Sequence, residues 1–308
     1  MACVSCKSEK TEGENPFFSA WETPYGVPPF DKIRAEHFLP ALERGMSLHD
    51  AEIDAIASNN DDPTFGNVIE AYDAAGEMLA RTELVFGMLC AAENTPELQA
   101  LQERAMPLLA AHYDRILLDE RLFARVKELY DRRGALDLDD VQLRLLEKTY
   151  RRFVRAGALL DAGRKARLKE INGELALAAV KFGNNLLAEN NRFEMELTAD
   201  EMAGLPSDVQ ELAREKARER GKKKDTGIFT LHKPSLIPFL TYSSDRGLRE
   251  RIYKAYLNRG NNGDEYDNKQ LINDFIRLRT EKAHLLGYPS YAAYVVDDEM
   301  AGTTDAVY

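Results

Sequence analysis

From Ile33 to about residue 190, apolar residues recur every three or four positions, and this period limits the fold more than any other feature of the chain. Phe38, Leu42, Met46, Ile53 and Ile56 mark a first helix, closed by Asn59-Asn60-Asp61-Asp62-Pro63. A second helix is expected over 65–93. Thr95-Pro96 reads as an N-cap followed by proline at the first helical position. The helix it opens runs through Leu98, Leu101, Met106, Leu109, Tyr113 and Ile116, and continues or kinks at Pro107 to about Tyr130, before Gly134. Helices near 138–160 and 162–190 follow, the latter with Leu168, Ile171, Leu175, Phe182 and Leu186 opposite a charged face. The chain is expected to be mostly α.

The period fails in two places. Residues 17–30 set Pro24, Gly26, Pro28 and Pro29 among Phe17, Phe18, Trp21, Tyr25 and Phe30. Prolines exclude a helix there, and so many aromatics predict an extended segment docked on the body. After residue 190, Phe193–Leu197 alternates apolar and polar, and Gly227–Leu231 is a second strand candidate. A small antiparallel β-ribbon is expected near 193–197 and 227–232, around a helix of about 208–220 opened by a capping box of Ser207 and Gln210. Beyond Pro234 and Pro238 come a helix of about 245–258, an Asn/Gly/Asp loop at 258–268, and a long helix to Leu286, closed by Gly287 and Pro289. Met300–Thr304 is a break with a capping threonine, and a helix should open at Asp305. Four residues cannot offset helix nucleation, so the chain is expected to end inside its fold. Three regions are expected: a flexible tail at 1–16, an N-terminal helical domain at 17–190, and a ribbon-plus-helix region at 191–308 that begins a catalytic region and is truncated.

Charge narrows the partners. Lys+Arg 41 against Asp+Glu 52 leaves a net charge of −11 over 308 residues, which repels phosphate backbones and argues against nucleic acid. Lys222-Lys223-Lys224 reads as a solvated loop. No apolar run reaches the roughly 18 residues of a membrane span. The start lacks the apolar core of a signal peptide, and as it stands the chain reads as cytoplasmic. Small residues before Cys3 and Cys6 also resemble a mature lipoprotein start, which would place the protein in the periplasm or envelope if a signal sequence had been removed there. Cys3 and Cys6 form a C-x-x-C without the two further ligands of a zinc site or the βαβ setting of a thioredoxin. Cys90 lies in an apolar stretch and should be buried.

Little chemistry is visible. None of His37, His49, His112, His232 and His284 stands in H-E-x-x-H or another metal spacing. His49-Asp50 and His112-Tyr113-Asp114 read as ordinary helix composition. No glycine-rich phosphate loop follows a strand, and no G-x-S-x-G is present. The stretch Asn261–Asn268 is rich in oxygen ligands but fails the EF-hand pattern and reads as a loop. Tyr288, Tyr291 and Tyr294 read as packing. No catalytic, cofactor-binding or metal residue is assigned to any position.

Several segments in order nevertheless carry a resemblance. They are Asn15-Pro16-Phe17 with Trp21–Ile33, then His37–Ala41; Arg152-Phe153-Val154-Arg155-Ala156-Gly157-Ala158; Arg249-Glu250-Arg251 with Tyr253, Tyr256 and Arg259; and Arg277 and Arg279 with Ala283–Tyr288, Tyr291-Ala292 and Met300-Ala301. From Phe17 onward the chain resembles the N-terminal half of the bacterial peptidyl-dipeptidases (dipeptidyl carboxypeptidases), relatives of oligopeptidase A and thimet oligopeptidase. The resemblance implies a multi-helix half of a two-lobed channel peptidase that admits short peptides. It implies zinc in the full-length protein, held by the histidines of H-E-x-x-H and a later glutamate, with the motif glutamate as general base. All of these lie outside this chain. The implied partners are short peptide substrates and the remaining C-terminal half of the same polypeptide.

On this reading the chain is one wall of the channel, bordered by 284–300, and inactive by itself, with recognition of the substrate carboxylate expected in the other half. The alternatives are a non-catalytic helical peptide-binding module and an internally cutting oligopeptidase of the same family. A wall built to meet another half exposes apolar surface, so the isolated chain is expected to associate or to be marginally stable. Sedimentation velocity tests this, and a clean monomer with a sharp, reversible unfolding transition counts against it.

Overall fold

A computed structural model describes residues 15–308. Most of the tail expected at 1–16, with Cys3 and Cys6, lies outside the described residues; Asn15 and Pro16 fall within them. Asn15 accepts from the Phe17 N–H at 3.1 Å and donates to the His37 carbonyl at 2.8 Å, and a 3₁₀ turn follows at Pro16–Phe18. The expected docking of the aromatic segment holds for its first half. Phe17 is fully buried against Phe38, and Arg81 lies over the Trp21 ring at 4.7 Å. Tyr25 and Phe30 stand exposed instead, because the Pro24–Gly26 turn lifts the chain away from the core.

Helix α1 is Ala35–Ala57. The single helix expected over 65–93 is three pieces: a π-helical turn at Phe65–Glu70, α2 at Ala71–Ala74, and α3 at Glu77–Glu93. Gly76 makes the break. Its φ of +82° ends the first run, and its N–H is taken by Glu52 Oε2 at 2.7 Å. α4 is Pro96–Leu117, capped by the Thr95 side chain as expected. It passes Pro107 unbroken and ends where the Asp119 carboxylate captures the N–H groups of Arg121 and Leu122 and starts α5, Glu120–Asp131. A competing cap, not a proline, therefore divides the expected long helix. α6 is Asp140–Arg155 and α7 is Ala162–Arg192.

The expected ribbon is present. Strand β1, Met195–Thr198, pairs antiparallel with β2, Thr226–Phe229, in the register Met195↔Phe229 to Thr198↔Thr226. Between them α8 spans Ser207–Glu219. The capping box does not form: Ser207 is already helical, Pro206 holds the cap position, and the Gln210 amide donates to the Leu205 carbonyl at 2.8 Å. α9, Lys233–Tyr242, is a helix beyond those expected. Pro234 sits in the first turn, where its missing N–H has no helical partner to lose, and Pro238 forfeits one bond. α10 is Arg246–Leu257 and α11 is Lys269–Leu285. α12, Tyr291–Val296, is unforeseen and is started by the Ser290 hydroxyl. α13, Thr304–Val307, opens on the Thr303 cap.

The chain divides into two compact units. One comprises the described residues up to Leu177 together with Leu278–Tyr308. It holds two apolar clusters. Phe17, Phe38, Leu42, Leu79, Phe86 and Leu109 join α1, α3 and α4; Ile56, Val68, Leu122, Leu129, Leu146 and Phe153 join the end of α1, the π turn, α5 and α6. Cys90 is buried in the first cluster, as expected, and burial pushes its thiol up to about 11. Gly45 lets α1 approach α3 closely, since a Cβ there would lie 2.9 Å from Leu79 Cα. The other unit, Ala178–Arg277, packs Met195, Leu197, Val209, Phe229, Phe239 and Ile252 between the ribbon and α8–α10. No helix of the described residues is long and apolar enough to cross a membrane.

Two glycine substitutions should move stability in opposite directions. At Gly76 a Cβ meets His49 Nδ1 at 2.9 Å on a positive-φ backbone, so Gly76→Ala is expected to cost about 2 kcal/mol or more. At Gly87, inside α3, a Cβ meets nothing within 4 Å, so Gly87→Ala should stabilise by about 0.5–1 kcal/mol. Urea midpoints at neutral pH check both.

Candidate functional site

In the first unit, the last two turns of α6 present a row of cations. An Asp139–Gln142 capping box starts this helix. Leu146, Thr149 and Phe153 form its buried face, and this phase sets Lys148, Arg151, Arg152 and Arg155 beside it. Positive charge there complements the helix C-terminus.

Arg155 anchors the segment that follows α11. Its guanidinium donates to Asp297 Oδ2 at 2.7 Å, to the Tyr294 carbonyl at 2.6 Å and to the Tyr288 hydroxyl at 3.3 Å. It also lies over the Tyr294 ring at 4.4 Å. The Tyr288 hydroxyl donates in turn to Asp297 Oδ2 at 3.0 Å, and the Tyr288 and Tyr294 rings meet edge-on at 5.3 Å. Next along the chain, Asp298 takes Lys148 at 2.7 Å and Arg151 at 3.3 Å. The Lys148 hydrogen bond, with Arg151 behind it, holds the Asp298 carboxyl below its usual range. Burial raises the phenols of Tyr288 and Tyr294. The tyrosines read as packing residues do pack, but against a cation rather than an apolar core.

Behind this clamp lies a cleft of about 440 Å³, with Asp114 of α4, Arg152 and Arg155 of α6, Asn172 of α7, Lys282 of α11 and Asp298 in its wall. Asn172 bridges two charged groups: its amide N–H donates to Asp114 Oδ1 at 2.7 Å, and its oxygen accepts from Lys282 Nζ at 2.7 Å. Burial raises the Asp114 carboxyl and lowers the Lys282 ammonium. Sequence reading missed this line of residues, which comes from three helices distant in the chain. Lys148, Arg151, Arg152 and Arg155, spaced i, i+3, i+4 and i+7, were the available signal of a charged helix face.

The histidines are scattered, with one exception. His37 accepts from the Arg34 N–H, while His232 and His284 are exposed at helix ends. His49 and His112, read as ordinary helix composition, meet inside the unit. His112 Nε2 lies 3.0 Å from His49 Nδ1, while its Nδ1 takes Arg115 at 3.0 Å and stands 3.3 Å from Asp50 Oδ1. With both rings neutral, His112 donates to His49 and accepts from Arg115, so every nitrogen of the His112 ring has a partner. Among the described residues no group of three or more His, Cys, Asp or Glu side chains could hold a metal ion.

In the second unit the oxygen-rich loop is a loop, as expected. The buried Glu189 of α7 accepts from the Gly260 N–H, from Asn262 Nδ2 at 2.6 Å and from Arg192 at 3.2 Å. Asn268, also buried, bonds Asn185 at 2.8 Å and the Phe182 carbonyl at 3.2 Å. These groups hold the loop against α7.

The segment that Arg155 clamps falls within a match to known proteins. Residues 239–308 match the model of peptidase family M3. Over 293 residues, 95% of its length, the chain is 38% identical to a dipeptidyl carboxypeptidase of Escherichia coli (strain K12) and 36% identical to that of Salmonella typhimurium. It is 28% identical to an oligopeptidase A of Escherichia coli over 284 residues, 91% of the chain. The resemblance seen in the sequence motifs therefore extends along nearly all of the chain. The chain spans 43% of the length of the two carboxypeptidase relatives.

The buried histidine pair sets a pH dependence. Burial lowers both rings from 6.5, His112 to about 4; Asp50 opposes the shift at both, and Glu52 at His49. Arg115 acts with burial on His112, and Arg152 on His49. The unfolded chain therefore binds more protons between pH 6.5 and about 4, and stability should fall as pH drops through that window, by roughly 3 kcal/mol for His112. His112→Gln should flatten the stability–pH slope there, read by chemical denaturation across the window.

Proposed function

We propose that the protein acts as a zinc-dependent peptidyl-dipeptidase, removing dipeptides from the free C-terminus of short peptides, and that these 308 residues supply channel wall rather than the metal site. The observation that carries this is the identity along 95% of the chain to dipeptidyl carboxypeptidases. It is higher than the 28–30% to the oligopeptidase A relatives, which favours the exopeptidase reading over internal cutting. No H-E-x-x-H occurs in the 308 residues, so the zinc ligands and the general base are assigned to sequence beyond them. The segment 284–300 is assigned to the channel border. Its edge-to-face tyrosine cluster and the adjoining polar cleft support that placement, since aromatics held by a largely buried guanidinium offer a surface for extended peptide.

The test pairs two proteins: the 308-residue chain and the longest polypeptide its gene encodes. Metal analysis and release of dipeptides from a blocked pentapeptide, with a free or an amidated C-terminus, are measured on both. The 308-residue chain is expected to bind no stoichiometric zinc and to cleave nothing. The longer polypeptide should hold about one zinc per chain and cleave the free acid but not the amide. Tight zinc and cleavage in the 308-residue chain would overturn the proposal, and equal cleavage of acid and amide would overturn its exopeptidase part.

A further inference from the structure

The cleft behind the Arg155 clamp contains two polar groups that the protein leaves without partners. Asp114 uses only one oxygen on Asn172; its Oδ2 is buried and meets no donor. Arg152 is the second. Among the described residues, Lys148 is engaged by Asp298, Arg155 by Asp297 and Lys282 by Asn172, while the Arg152 side chain has no hydrogen bond or ion pair.

The charges in the wall do not cancel. Lys148, Arg152, Arg155 and Lys282 face Asp114 and Asp298. On a chain of net charge −11, such a cleft draws small anions out of an otherwise repelling field. A guanidinium with its fork unused matches a carboxylate in bidentate geometry. A buried carboxylate oxygen without a donor carries a desolvation penalty that an incoming N–H removes. A simple anion meets the first requirement and aggravates the second. A simple ammonium does the reverse. The last residue of a peptide carries both groups, a carboxylate and its own backbone N–H, on either side of one Cα. The wall also includes Leu117, half-buried, an apolar surface for a side chain.

We propose that this cleft binds the carboxyl-terminal residue of a short peptide, with Arg152 holding the carboxylate and Asp114 Oδ2 accepting the last backbone N–H. The ligand's being a peptide rests on the peptidase reading above. The site differs from that reading in one respect: it puts recognition of a free C-terminus within this chain, not in the other half. A bound carboxylate also favours the charged form of Lys282, which burial disfavours.

The experiment is calorimetric titration of the 308-residue chain with four probes: N-acetyl-Gly-Gly, its C-terminal amide, acetate and inorganic phosphate. The acid should bind at least tenfold more tightly than any of the others. Arg152→Met should weaken the acid about tenfold or more and leave the amide unchanged. Since Arg152 is exposed and unpaired, this variant should keep the parent's melting temperature. Asp114→Ala should remove the advantage of N-acetyl-Gly-Gly over acetate. Equal affinity for acid and amide, no binding of the acid at 10 mM, or an unchanged affinity in Arg152→Met overturns the proposal. So does equally strong binding of inorganic phosphate, which would make the cleft a general anion site. All of these are equilibrium affinities of the chain itself, so their failure is distinct from a failure of the zinc and cleavage tests.

Discussion

The guanidinium of Arg155 ties the end of the chain to a helix 142 positions earlier. Its side chain is only 13% exposed, so its three hydrogen bonds form where water competes poorly. Removing any one partner would leave a nearly buried charge short of an acceptor, and for that reason the carboxylate, carbonyl and phenol must arrive together. The consequences spread outward. Tyr288 and Tyr294 are fixed edge to face, Asp298 is brought to Lys148 and Arg151, and α12 closes over a cleft whose inner wall is Asp114, Asn172 and Lys282.

That inner wall and the histidine pair illustrate one rule of burial. Polar groups taken out of water survive where each finds a partner, and the exceptions stand out. Asn172 satisfies two neighbours of opposite charge through the two ends of one amide. His112 has a donor on one ring nitrogen and an acceptor at the other. Asp114 Oδ2 breaks the pattern, and it does so in the wall of a cleft.

Much of the fold could be read from the residues because helical period and caps are local properties. Thr95 and Thr303 each start a helix close to where a capping threonine is expected, and α6 and α10 open near their expected starts. The errors have local causes too, but ones that compete. Ser207 and Gln210 fit a capping box, yet Pro206, with no N–H for Gln210 to bind, takes the cap position. Gly76 reads as an ordinary glycine within an apolar run until Glu52 and His49 approach it from α1. α9 is not among the expected helices, and the packing of Leu236 and Phe239 keeps it helical across Pro234 and Pro238.

The amino-acid sequence alone determined the mostly helical class, the ribbon, the buried Cys90 and the ordered motifs shared with the dipeptidyl carboxypeptidases. These depend on spacing within a few residues, or on motif order. What only the tertiary structure decided is which charges meet. Asp114, Asn172 and Lys282, like Arg155 and Asp297, are far apart in sequence, and nothing in their immediate neighbours marks them as partners. Hydrogen bonds of this kind are specified by the angles at which helices pack, and those angles follow from the apolar faces, not from the polar residues they bring together.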